Sequence, residues 1–127
     1  MIERAVRHYN QAGITCLHEA LVLPQTLKLY QEVDRLGRLN LRISTMNIDF
    51  TAQTLLDAGI TCGYGTPMVR VGPIKMLLDG GMSNRTAAVS TPYRGTGETG
   101  IFLIRPEEIS SAIEKFSNAG YQIATHA

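Results

Sequence analysis

The sequence has no excess of either charge, with 12 lysines and arginines against 11 aspartates and glutamates. Binding to nucleic acid or to a membrane surface draws on a basic surplus gathered on one face, so neither partner is expected. No apolar run approaches the roughly 20 residues that cross a bilayer. The opening MIERAVRHYNQAG also lacks the apolar segment of a secretory leader, which makes the cytoplasm the expected compartment. Cysteine is scarce. Cys16 and Cys62 stand far apart in similar apolar settings, without metal-ligand spacing, and read as buried reduced thiols rather than a disulfide. A dinucleotide fingerprint is missing too: the glycine-rich GTGETG at 95–100 has no strand directly before it and opens no helix.

What is present suits one ordinary domain of 127 residues, 44% hydrophobic. One element recurs, as QAGITC at 11–16, DAGITC at 57–62 and NAGYQI at 118–123. In each copy a polar residue and an alanine precede a glycine, and β-branched or aromatic residues follow. That is the signature of a helix ending on a glycine cap and a strand beginning.

The segments between these joints agree. Ile2, Ala5, Val6 and Tyr9 repeat at helical spacing over 2–12, and a strand is expected over 13–18. The stretch LPQTLKLYQEVDRLG opens with a proline, closes on Gly37 and places Leu27, Tyr30, Val33 and Leu36 on one side of a helix. NLRISTMN alternates Leu41, Ile43 and Thr45 against Arg42, Ser44 and Met46, as a strand does. A short helix over 50–58, a glycine-broken stretch and a strand over 74–78 come next. Residues 79–104 read as one long loop, a length that in a compact fold is usually functional. RPEEISSAIEKFSNAG gives a last helix and YQIATHA a last strand. About four β/α units with parallel strands follow, an α/β architecture. The pattern fits a small open sheet and half of an eight-fold barrel equally well.

The strand at 74–78 poses a chemical question. Ile74, Met76 and Leu78 share one face, while Lys75 and Leu77 share the other. An unpaired buried ammonium is expensive, so Lys75 must be exposed, paired, neutralised or used. Ligands of either architecture bind where parallel strands end. Three expected strand ends carry reactive groups: His18 with Glu19, Lys75 with Asp79, and His126. A histidine there suits a metal ligand or a general base, although a lone one also fits a packing role. A lone strand lysine equally fits an exposed position, and Asp79 reads as a turn-initiating acid before glycine.

The run VGPIKMLLDGGMSNRTAAVSTPY at 71–93 resembles a segment of the metal-dependent amidohydrolases, in the branch that includes N-substituted formamide deformylases. There a strand lysine precedes Asp-Gly, a small polar turn, Arg-Thr-Ala and Pro-Tyr. AGITCLHEA at 12–20 is similar to the family's upstream strand, and AGYQIATHA at 119–127 to a downstream strand ending in His-Ala. The three motifs stand in the family's order and span nearly the whole chain.

The resemblance implies a (β/α)₈ barrel whose divalent metal, zinc being the expected one, activates water to attack an amide or related bond. Lys75 and His126 carry over as metal ligands, with Lys75 open to carboxylation by carbon dioxide as a bridge between two metals, or alternatively unmodified or ion-paired with Asp79. His18, Asp79 and Arg85 match motif positions near the same rim, in substrate-binding or supporting roles. The family's His-x-His and its further His and Asp have no counterpart in this chain. It therefore reads as an internal fragment over 1–127, about the second to fifth strands of a longer hydrolase, inactive alone. The bare edges of a half barrel imply a homo-oligomer. The competing reading is a non-catalytic α/β domain that binds a ligand or partner through the 79–104 loop.

Overall fold

The structure is a computed structural model and describes residues 1–127. Its elements run α1 (Ile2–Gln11), β1 (Cys16–Val22), α2 (Pro24–Arg35), β2 (Arg42–Ile48), α3 (Asp49–Asp57), β3 (Val69–Leu77), α4 (Pro106–Asn118) and β4 (Ile123–His126). A single 3₁₀ turn, Met82–Asn84, interrupts the long segment before α4. No helix is long and apolar enough to cross a membrane.

The recurring joints have the backbone that their sequence announces. Gly13, Gly59 and Gly120 all take left-handed φ, at 78°, 68° and 82°. The amide after each glycine bonds back across the last helical turn, Ile14 to Tyr9 O, Ile60 to Leu55 O and Tyr121 to Phe116 O. This closure needs a residue without a Cβ penalty at positive φ, and it delivers an apolar side chain just past the helix end. Tyr121 is thereby buried against Val71 and Ile74.

All four strands are parallel and pair in sequence order, β1-β2-β3-β4. Leu17, Ile43 and Val69 align across three strands and pack with α1 and α2 through Val6, Ile2, Leu27, Tyr30 and Val33. Val71, Ile74 and Ile123 pack with α3 and α4 through Ala52, Leu55 and Phe116. The helices thus cover one face of the sheet. A doubly wound sheet reverses its strand order and carries helices on both faces. Sequential order with one covered face is the grammar of the barrel, and the four units form a curled half-barrel.

The strands are not uniformly regular. Between Thr45 and Asn47 of β2 the partner β3 advances from Val71 to Ile74, and β1 advances from Glu19 to Val22 against the same residues. Each flanking strand therefore holds one extra residue, a β-bulge. In β3 the bulge falls on Gly72-Pro73, where proline costs no ladder bond and a Cβ on Gly72 would stand 2.9 Å from Thr45 O. Val69 and Val71 face the helices before it, and Ile74 and Met76, both fully buried, face them after it. Lys75 and Leu77 turn to the opposite, concave face and are half-buried.

Several boundaries differ from expectation. β3 begins five residues earlier than residue 74, because Val69–Val71 pairs with β2 and its other edge is covered by residues 63–66, bonded through Gly63 N to Val71 O and Val71 N to Tyr64 O. β1 starts later and runs four residues past His18, so His18 is not at a strand end. Cys16 is exposed rather than buried, since the face of β1 that it shares with His18 is the concave one; Cys62 is half-buried, and both thiols are free. Residues 79–104 form a loop, as expected, but one bonded to itself at Val89 N to Thr99 O and Tyr93 N to Glu98 O.

Two outcomes follow from this packing. Tyr30 on α2 donates to Glu19 Oε2 on β1 at 3.0 Å. Burial, then that carboxylate, pushes its phenol up from about 10 to about 12. The folded state therefore holds a proton that the unfolded chain releases. Stability from this contact is complete below about pH 10 and is lost as pH rises through about 12. Urea unfolding across that range should show a fall in stability that Tyr30→Phe lacks; identical profiles would contradict the contact. The second concerns β1 and β4, which leave unpaired edges beside an open concave face. Light scattering at micromolar concentration is expected to report self-association, and a monomer at every concentration would count against it.

Candidate active-site rim

The concave face holds His18, Ser44 and Arg70 in one row across β1, β2 and β3. Further along it, Ile48, Lys75 and Ala124 form a second row across β2, β3 and β4, and Leu77 and His126 a third. Ser44 and Ile48 are four residues apart on one strand, which puts His18 about 13 Å deeper than Lys75 along the strand direction. Of the residues singled out in the sequence, His18 therefore does not reach the rim. Lys75 and His126 do. They sit on adjacent strands and the same face, offset by two residues or about 7 Å.

Lys75 has no carboxylate within ion-pair distance. The alternative pairing with Asp79 is not made, because Asp79 lies past the end of β3 and turns elsewhere. Its backbone bridges Phe102, its Oδ2 accepts the Ala88 amide at 2.9 Å, and its side chain is 8% exposed. It is also not the turn-initiating acid expected before glycine, since the amide it binds lies nine residues away. The turn itself is held by Thr86 Oγ1, which accepts from Gly81 N.

His126 is the residue that this turn touches. Its Nε2 stands 2.9 Å from Gly80 O and 4.0 Å from Asp79 Oδ1. A carbonyl oxygen can only accept, so Nε2 carries the proton and Nδ1 keeps the lone pair in the neutral ring. A backbone carbonyl on one imidazole nitrogen is the usual way to orient the other toward a metal. The longer distance exceeds a direct hydrogen bond. Asp79 Oδ1 is buried and has no hydrogen-bond partner. Leaving a buried acceptor unpaired costs about 1–3 kcal/mol, which marks the spot as one where a positive charge or donor would be welcome.

Arg85 lies on the loop at the end of the 3₁₀ turn, in the left-handed region at φ 58°. It is exposed, makes no ion pair and lines an open groove with Thr86, Glu98 and Ile101. The loop as a whole is tied to the sheet end, with Leu103 N bonded to Leu78 O and Leu78 N to His126 O. Two contributors escaped the sequence reading: the Gly80 carbonyl and the Ala88 amide, both backbone groups without a residue-type signal. The bulge that aims Lys75 did leave one, in the phase change from Val69/Val71 to Ile74/Met76 across Gly-Pro.

No three histidine, cysteine or acidic side chains gather in one place to hold a metal ion. The donors at the rim are an imidazole nitrogen and a lysine, beside a buried carboxylate oxygen in want of a partner. Such a set fits part of a divalent-metal centre.

Solved structures share the fold of this chain. The chain is similar to an uncharacterized metal-dependent hydrolase from Pyrococcus furiosus, with 26% identity and a TM-score of 0.89 over 99% of this chain. An uncharacterized metal-dependent hydrolase from Pyrococcus horikoshii OT3 shares the fold, with 24% identity and a TM-score of 0.89 over 99% of this chain. This chain covers 27% and 26% of those two proteins, about a quarter of their length. No curated relative matches it. The sequence model of the Amidohydrolase family matches residues 1–127 without a gap at either end, and the chain belongs to that family.

Proposed function

We propose that this chain is part of the catalytic barrel of a metal-dependent hydrolase that splits amide or formamide C–N bonds, the reaction of the formamide-deformylase branch. Lys75 and His126 are two of its metal ligands, and zinc is the expected metal. One observation supports this above the others: an amine without an ion-pair partner and an imidazole with a free Nδ1 share one face at the ends of adjacent parallel strands.

A divalent cation, when bound, lowers the pKa of water and polarises a carbonyl oxygen. The chain's own groups have narrower tasks. The Gly80 carbonyl retains the Nε2 proton of His126, so Nδ1 is the nitrogen offered to a metal. Lys75 is half-buried on the concave face and its amine makes no ion pair. That amine can attack carbon dioxide, forming an N–C bond and releasing a proton to solvent. The carbamate left behind is an anion that cations can compensate. The loop over 79–104 is bonded to the same end of the sheet, and the unpaired Arg85 guanidinium on it suits a carboxylate or carbonyl of the substrate. A catalytic zinc takes three protein ligands and an open position, so the remaining ligands belong to other segments of the barrel.

The reading frame around this segment is expected to encode a His-x-His before it and a His and an Asp after it. Expressed over that length, the protein should release amine and formate from an N-substituted formamide. Lys75→Ala and His126→Ala should each reduce kcat/KM by ~100-fold or more. Undiminished hydrolysis in either variant would remove that residue from the metal centre.

A further inference from the structure

The buried carboxylate of Asp79 has two arms with different surroundings. Oδ2 accepts the Ala88 amide at 2.9 Å and so fastens the loop to the end of β3. Oδ1 is also buried, finds no partner and stands 4.0 Å from His126 Nε2. The Gly80 carbonyl lies beside it, 2.9 Å from the same nitrogen. Two acceptors, one a full negative charge, therefore face one ring nitrogen of an imidazole whose side chain is half exposed. Nothing else bonded to the ring would fix its tautomer.

We propose that Asp79 is a positioning residue for His126. Its Oδ1 and the Gly80 carbonyl together hold the proton on Nε2 and keep the Nδ1 lone pair free, while Oδ2 makes that arrangement depend on a closed loop. The loop's conformation and the imidazole's donor atom are thus set by one side chain. A carboxylate favours a donor opposite it over a lone pair, and a low-dielectric setting strengthens that preference. This deepens the reading of His126 given above, but it concerns protons on the ring alone. Its test involves neither metal nor turnover, so its failure and the failure of the hydrolase reading would be seen separately.

The experiment is nitrogen NMR of the histidine-labelled chain at alkaline pH, where an imidazole is neutral, with amide hydrogen exchange at Ala88 as second readout. In the unmodified chain His126 should populate the Nε2–H form; predominance of the Nδ1–H form would overturn the proposal by itself. Asp79→Asn keeps an oxygen for the Ala88 amide and turns an NH₂ group toward Nε2. It should raise the ratio of Nδ1–H to Nε2–H by about tenfold while Ala88 stays protected. Asp79→Ala should lose the Ala88 protection as well. An unchanged ratio in Asp79→Asn would overturn the proposal. So would a changed ratio accompanied by loss of Ala88 protection equal to that in Asp79→Ala, since loop collapse would then account for both. Should either variant fail to fold, predominance of Nδ1–H in the unmodified chain would still overturn the proposal.

Discussion

Between Val71 and Ile74 the third strand contains one residue more than the strand beside it, and that offset decides where the lysine points. Without it, Lys75 would continue the parity of Val69 and Val71 and enter the apolar layer under the helices. Such a burial would force it to give up its charge or find a partner. With the bulge, Ile74 and Met76 fill that layer and Lys75 faces the concave side. Gly72 and Pro73 permit the offset, one by lacking a Cβ where β2 passes close and the other by needing no ladder bond. The core and the candidate site are two consequences of one irregularity.

The end of β3 carries a second constraint. From Leu78 onward the chain must leave the sheet, cross 79–104 and return in α4. It does so through a turn whose backbone and side chains bind in several directions at once. Leu78 bonds to His126 and to Leu103, Gly80 to the imidazole, Asp79 to Ala88, and Thr86 to Gly81. A loop of this length would ordinarily be a mobile connection. Here it is fixed at both ends to the strand termini that carry the reactive side chains. That explains how the end of β4, a four-residue strand with an exposed terminus, can hold a histidine in a defined orientation.

Much of this was legible in advance. The repeated joints announced themselves, because a helix that must end in a left-handed residue selects glycine and the following closure selects an apolar partner. The alternation in β2 was equally plain: Ile43 and Thr45 are buried, while Arg42, Ser44 and Met46 are not. His18 was misread for a physical reason. Alternation marks which face a residue takes but says nothing of where pairing stops, and β1 continues through Ala20 to Val22 around a bulge with Leu21 at φ 69°. Cys16 was misjudged alongside it, since an apolar neighbourhood in sequence does not distinguish the helix-covered face from the concave one. Asp79 looked like a turn residue because Asp-Gly is turn chemistry, yet its partner lies nine residues on.

The sequence by itself determined the order of helices and strands, the sites of their joints and the family motifs around Lys75 and His126, because these depend on interactions within a few residues. Whether four units close as a barrel segment or open as a sheet was decided only in three dimensions, by strands pairing in sequence order with every helix on one face. The environment of His126 was likewise a tertiary matter. Its ring is oriented by a carbonyl 46 residues away and faced by a carboxylate from the same turn. No local pattern encodes a backbone acceptor brought from that distance, because every residue carries the same carbonyl and only the fold chooses which one arrives.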